Sequence, residues 1–292
     1  MFSIKSRIVS NERLAEDRWQ MGLEASRITP EVKPGQFVNI KISNFPLFKR
    51  PFSIFRCIKL DNGGLGIEIV YKVVGRGTSI MTELKREDEL DIIGPLGNGF
   101  EWYRDKKVHI LLAGGIGSAN LFMLGEQISK ASREHEMDLN ILLGAQTKKT
   151  LILEMEFSKL NGKIMVSTDD GTYGYNGFAT EMLKDVINSE KISLDCAIYA
   201  CGPEPMLKAL APICKQHNIP AQVSMERHMM CGIGACLVCI CKVNKSSVVE
   251  CRDIQSSHIQ LVPEEEFGYA LVCKDGPVFN IDEVIFDDER NG

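Results

Sequence analysis

No apolar run in this sequence approaches the ~18–20 residues needed to cross a bilayer, so no membrane partner is expected. Basic residues are not in surplus: 34 Lys and Arg face 39 Asp and Glu, for a formal net charge of −5. That balance argues against nucleic acid as a partner. The five histidines (His109, His135, His217, His228, His258) fall at no ligand or triad spacing, and no side chain is expected to act as a catalytic acid, base or nucleophile. Internal repeats and low-complexity tracts are missing as well. The first ten residues, MFSIKSRIVS, alternate like a strand and lack the apolar centre of a secretory signal. Without such a signal, ten cysteines read as thiolate ligands in a reducing compartment, here the cytoplasm, and not as a disulfide framework.

The length of 292 residues accommodates two or three domains and burial of roughly three-quarters of the unfolded surface. Residues 1–102 read as short strands at 37–42, 52–58, 66–74 and 89–93, rich in Val, Ile and Phe and separated by turn signals such as Pro34-Gly35 and Asp61-Asn62-Gly63-Gly64. This spacing predicts an antiparallel barrel. Residues 103–222 change rhythm. Strands at 108–112, 139–143, 164–167, 196–200 and 221–224 alternate with helical stretches, the first at 118–132, which predicts a doubly wound parallel sheet. Residues 223–292 form a small third domain whose folding a metal centre would support.

That third part holds the sharpest motif. Cys231-Gly-Ile-Gly-Ala-Cys236-Leu-Val-Cys239 has the C-x4-C-x2-C spacing of a plant-type [2Fe–2S] site, with a fourth cysteine further on. Gly232 and Gly234 let the loop wrap closely with φ > 0, turning its amides toward the cluster sulfurs. A four-cysteine zinc site is the alternative, though zinc ribbons favour two C-x2-C knuckles. For the fourth ligand, Cys273 before the Asp275-Gly276-Pro277 turn is preferred, with Cys241 and Cys251 as alternatives. Cys57, Cys196 and Cys214 lie in apolar runs and read as small core residues. Met225, Met229 and Met230 read as packing around the loop.

Several weaker motifs point to phosphate-bearing cofactors. Arg50-Pro51-Phe52-Ser53 offers a guanidinium and a hydroxyl to a pyrophosphate and an aromatic ring to a flat ligand; an ordinary edge strand is the bland reading. Gly75-Arg76-Gly77-Thr78-Ser79 precedes a helical pattern at 80–85 and reads either as an anion site or as a glycine turn with a hydroxyl cap. Gly114-Gly115-Ile116-Gly117 follows a strand and opens a helix, the setting of a phosphate-binding turn. Cys201-Gly202-Pro203 also ends a strand and starts a helix, where Cys201 would let a flat ring approach. Asp169-Asp170-Gly171 ends another strand, with an Asp expected to cap a helix from near Asn176.

In this order the elements resemble the ferredoxin–NADP reductase superfamily over nearly the whole chain. Within it, they are similar to the electron-transfer subunits of class 1B dihydroorotate dehydrogenase. The resemblance implies FAD contacts at Arg50, Pro51, Phe52, Ser53, Val70, Tyr71, Lys72, Gly77 and Thr78, and a barrel-closing signature at Gly94-Pro-Leu-Gly-Asn-Gly-Phe100. It implies NAD contacts at Gly114, Gly115, Gly117, Asp170, Cys201, Gly202 and Pro203, and cluster ligation by Cys231, Cys236, Cys239 and Cys273. NAD is favoured over NADP because Gln146-Thr147-Lys148-Lys149 lacks an arginine pair for a 2′-phosphate. Two departures stand out: Ser118-Ala119-Asn120 replaces the proline that usually follows the glycine turn, and His228 stands where an arginine is common. The implied partner is an FMN-containing dihydroorotate dehydrogenase catalytic subunit in a heterotetramer of pyrimidine biosynthesis. A diaphorase-type subunit of another redox complex is the nearer alternative, and a zinc-stabilised, non-enzymatic binding module the more distant one.

Overall fold

The computed structural model describes residues 1–42, 49–188, 193–251 and 258–286. Six antiparallel strands close the first barrel: β1 (Phe2–Ala15), β2 (Arg18–Glu24), β3 (Phe37–Lys41), β4 (Arg50–Lys59), β5 (Leu65–Lys72) and, after helix α1 (Arg76–Met81), β6 (Glu89–Leu96). Their order around the barrel is β1-β2-β5-β4-β3-β6, with β6 returning to β1. Branched side chains at alternate positions, among them Val38, Ile40, Ile54, Ile67, Ile69 and Ile92, fill its interior.

The chain then winds a seven-stranded sheet. Its elements are β7 (Val108–Gly114), α2 (Gly117–Ala131), β8 (Asp138–Ala145), α3 (Glu154–Phe157), β9 (Lys163–Thr168), β10 (Tyr175–Asn176), α4 (Ala179–Asn188), β11 (Cys196–Cys201), α5 (Glu204–His217) and β12 (Ala221–Ser224). The remaining elements are β13 (Ile240–Asn244), α6 (Lys245–Cys251), β14 (Gln260–Leu261), β15 (Phe267–Leu271) and β16 (Val278–Asn280). The large sheet runs β10-β9-β8-β7-β11-β12-β16, parallel except for β16. Every residue of β7 and β11 is buried, as expected for central parallel strands covered on both faces. Strand order reverses between β7 and β11, so the crevice beyond their carboxyl ends is the switch point where such sheets receive ligands. The small sheet, β13-β15-β14, supports the cysteine loop.

The barrel is fastened to the nucleotide sheet through β4. Phe55 packs against Phe122 of α2 with ring centroids 4.7 Å apart. Its neighbour Arg56 pairs with Glu68 and reaches Glu156 of α3 at 3.2 Å.

Three local expectations need correction. The helix expected at 80–85 is α1, at Arg76–Met81. It starts early because the Thr78 hydroxyl accepts the Val74 and Gly75 amides and closes the first turn. No Asp caps a helix near Asn176: Asp170 accepts the Thr172 amide and hydroxyl, while α4 begins later, with Glu181 accepting the Phe178 amide. Cys57 is exposed on the outer face of β4, whereas Cys196 and Cys214 are buried as expected.

Candidate functional site: two adjoining cavities and a cysteine loop

A cavity of about 880 Å³ opens between the barrel and the sheet. All nine barrel residues expected to contact FAD line it: Arg50, Pro51, Phe52, Ser53, Val70, Tyr71, Lys72, Gly77 and Thr78. Phe52 and Tyr71 meet edge to face at 6.1 Å, giving the cavity an aromatic wall. Arg50 lies directly on the backbone of Gly77, where a Cβ would come within 2.5 Å of Nε. Any larger residue at 77 would displace the guanidinium, so the cation and the 75–78 turn form one cradle suited to a diphosphate. The hydroxyls contribute less than the sequence predicts. That of Thr78 is engaged within the turn, and Ser79 lies outside the lining.

A second cavity, of about 490 Å³, sits at the switch point and is lined by Gly114, Gly115, Gly202 and Pro203. Lys72, Ile116 and Glu226 line both cavities, so the two adjoin there. Gly117 and Cys201 face the larger cavity, and a Cβ on Gly117 would overlap the Cys201 carbonyl. Of the acidic pair, Asp169 lines the second cavity; Asp170 does not, being held in its turn by Thr172. Desolvation, reinforced by Asp170 and Glu181, raises the Asp169 carboxyl above its ordinary range.

Three polar residues outside the expected contacts belong to this region. Asn120, in the departure after the glycine turn, donates to Ser224 Oγ at 2.7 Å and to Cys201 Sγ at 3.4 Å. Burial pushes the Cys201 thiol up to about 12, so it stays protonated at neutral pH. Glu226 opens to the cleft but is otherwise flanked by protein, and desolvation raises its carboxyl above the usual range. Arg227, next along, makes a bidentate pair with Glu204 of α5 at 2.6 and 3.0 Å.

Met229 and Met230 continue the wall of the larger cavity and lead straight into Cys231. Gly232 and Gly234 take φ of 71° and 86°, the left-handed conformation that the loop reading requires. The four cysteines of the motif gather as two pairs. Cys231 interacts with Cys236, and Cys239 with Cys273; the Cys239 sulfur also accepts the Cys273 amide at 3.3 Å. Partial burial works against the Cys231 thiolate, but the amides of Ile233, Ala235 and Cys236 and the Cys236 thiol outweigh it and lower Cys231 to about 7. Cys239 falls to about 6, chiefly through the Cys273 thiol; Cys273 is correspondingly raised. Among the described residues, no three His, Cys, Asp or Glu side chains converge on one ion position. The Gly234 amide faces Cys273, and Cys231 acts on Cys273 electrostatically, so the two pairs share one site; four thiols there fit a [2Fe–2S] centre with two thiolates per iron. Cys241 is buried opposite Ala270, and the side chain of Cys251 lies outside the described residues.

The turn after Cys273 is tightly held. The Asp275 carboxylate accepts the Leu271 and His258 amides at 2.7 and 2.8 Å. Asn98, from the barrel-closing signature, donates to the Asp275 carbonyl at 3.0 Å.

Comparison with known proteins agrees with this geometry. Residues 226–253 match the model of the iron–sulfur cluster binding domain of dihydroorotate dehydrogenase B, and 111–211 match an oxidoreductase NAD-binding domain. The chain is 36% identical over 285 residues to the dihydroorotate dehydrogenase B (NAD(+)) electron transfer subunit of Caldanaerobacter subterraneus subsp. tengcongensis, covering 98% of this chain and 99% of the relative. The chain belongs to this family of electron transfer subunits. The Geobacillus kaustophilus member is 35% identical, covering 95% and 96% of the two chains. Among solved structures, an NADH-dependent reduced ferredoxin–NADP oxidoreductase studied for flavin-based electron bifurcation aligns with a TM-score of 0.75 at 27% identity, over 96% of this chain and 90% of the other. Family membership accounts for the order of barrel, nucleotide sheet and cysteine loop. Among the described residues, no helix is long and apolar enough to cross a membrane.

Proposed function

We propose that this chain is the iron–sulfur flavoprotein subunit that carries electrons between NAD and an FMN-containing dihydroorotate dehydrogenase catalytic subunit, in pyrimidine biosynthesis in the cytoplasm. The observation that carries the reading is continuity: the nucleotide cavity adjoins the flavin cavity at Lys72, Ile116 and Glu226, and the wall of the flavin cavity runs through Met230 into Cys231. Residues 1–102 hold FAD, 103–222 hold NAD and 223–292 hold the [2Fe–2S] cluster through Cys231, Cys236, Cys239 and Cys273. When bound, FAD supplies the exchange between the two-electron hydride chemistry of NAD and the one-electron chemistry of the cluster. The chain's own residues orient and insulate. Arg50 and the 75–78 turn take the flavin diphosphate, Gly114 and Gly115 take the NAD phosphates, and Gly117 and Cys201 leave room for the two rings to meet. The carboxylate of Asp169 in the nucleotide cavity disfavours a 2′-phosphate, and the Lys148 ammonium sits 4.8 Å over the Tyr173 ring, in keeping with NAD.

The loop also presents a surface. Ile233, Leu237, Val238 and Ile240 are exposed within eight residues of one another, around the cysteines. Such an apolar cluster at a redox loop suits the docking face for the catalytic subunit, with two copies of each chain in the family's heterotetramer.

The test is anaerobic purification followed by metal and flavin analysis and titration with NADH. Flavin and about two irons per chain, both bleached by NADH, are expected. Addition of an FMN-containing dihydroorotate dehydrogenase chain should then give dihydroorotate-dependent NAD⁺ reduction. A colourless zinc protein would overturn the reading, and a coloured one inert toward that partner would overturn the partner.

A further inference from the structure

Strand β3 lies between the flavin-binding strand β4 and the barrel-closing strand β6. Its inward side chains, Val38 and Ile40, belong to the barrel core, while Phe37 faces the other side and belongs to the cluster that also holds Cys239, Leu271 and Cys273. Asn39 shares that outward side and is completely buried. It stands opposite Pro51 of the flavin-binding strand and opposite Ile93 of β6. Its Nδ2 donates to the Cys231 carbonyl at 2.9 Å and to the Met230 carbonyl at 3.4 Å. Gly232 presses on the same carboxamide; a Cβ there would come within 2.7 Å of Nδ2.

We propose that Asn39 is a positioning residue for electron transfer between flavin and cluster: its carboxamide pins the peptide between the flavin cavity and the first cluster thiolate to the strand that pairs with the flavin motif. Two features favour this over simple packing. Met230 lines the flavin cavity and Cys231 is the adjoining ligand, so the pinned peptide is the shortest covalent link between the two sites. The Asn39 Oδ1, moreover, is buried without a hydrogen-bond partner. Burying an unpaired amide oxygen opposes folding, and an apolar residue of the same shape would avoid that penalty. What the asparagine adds is its donor. A second carboxamide from the barrel, that of Asn98, holds the turn after Cys273, so each thiol pair is tied to the flavin domain. Asn98 is exposed, whereas Asn39 is buried.

The proposal rests on Cys231 being a cluster ligand. Its test is Asn39→Leu, which keeps the branched shape, removes the unpaired oxygen and deletes the donor, with Asn39→Ala as a second variant. Both are studied as holoprotein. Thermal melting and flavin content of Asn39→Leu should match the wild type, as should the rate of flavin bleaching by NADH. Electron passage from flavin to cluster should slow about tenfold, iron loss to a chelator should accelerate about tenfold, and the EPR line shape of the reduced cluster should change. Wild-type line shape and cluster-reduction rate in both variants would overturn the proposal while leaving the functional reading intact. So would joint loss of flavin, cluster and melting temperature in both, which would make Asn39 a barrel residue only. Absence of iron from the wild-type protein would instead overturn the functional reading.

Discussion

The thiols of this chain fall into two settings that differ less in burial than in what faces the sulfur. In the nucleotide sheet and α5, Cys196, Cys201 and Cys214 are buried, and desolvation pushes them up to about 11, 12 and 12, in Cys201 despite the Asn120 amide. In the loop, Cys239 is as buried by exposure as Cys201, yet it is lowered to about 6. The difference is donors: a neighbouring thiol and the amides of Val272 and Cys273 face Cys239, and three loop amides face Cys231. Glycine in the left-handed conformation at 232 and 234 is what allows a short loop to turn its amides inward. Cys231 and Cys239 are therefore told apart from the filler cysteines by the donors that face their sulfurs, and for Cys239 depth plays no part.

The largest expected effect breaks this comparison by substitution. Cys239→Ser should abolish the cluster, taking iron from about two per chain to none and ending electron passage to the partner. Flavin reduction by NADH should persist, because the cavities do not include Cys239. Cys214→Ser, by contrast, should keep the cluster and lower stability by about 1–3 kcal/mol, the cost of burying an unpaired hydroxyl. Iron retained in Cys239→Ser at the wild-type level would remove Cys239 from the ligand set.

A second measurement sharpens the same contrast through pH. In chelator-treated protein, alkylation of Cys231 should rise as pH increases through about 7 and then level off, because its lowered value makes the thiolate the major form above that point. Cys201 and Cys214 should stay protonated over the same range, reacting roughly a hundredfold more slowly or not at all. Equal labelling of the two groups at pH 7, read by mass spectrometry of peptides, would show that the loop amides do not hold the Cys231 charge.

How far the sequence discloses this arrangement depends on the kind of signal. The C-x4-C-x2-C spacing and the strand–glycine–helix junctions at Gly114 and Gly202 are local, and local patterns survive in one dimension. The paired grouping of the thiols is not, since Cys239 and Cys273 meet only through the β13–β15 sheet and the turn closed by Asp275. Asn39 and Asn120 are single polar residues within buried elements, and their partners lie 192 and 104 positions away. No periodicity marks such residues. Cys57 misleads for a related reason: the apolar residues around it hide the alternation that turns position 57 outward on β4. Asp170 and Asp169 are adjacent and chemically alike, and only the Thr172 hydrogen bonds decide which one is left to face the cavity.

The smallest expected effect tests the filler side of the comparison. If Cys201 serves by its size and its backbone, crowding its carbonyl should matter more than altering its titration. Gly117→Ala puts a methyl against that carbonyl, and a backbone atom cannot swing aside as a side-chain tip can. The expected cost is about 1–3 kcal/mol of stability, measured by thermal melting, with weaker NADH binding and unchanged iron content. Gly115→Ala separates crowding from backbone strain, because its Cβ would meet open space while its φ of 54° disfavours any residue with a side chain. A Gly117→Ala protein that melts and binds NADH like the wild type would mean that the junction of β7 and β11 relaxes easily. Cys201 would then be replaceable by a larger residue without loss of hydride transfer.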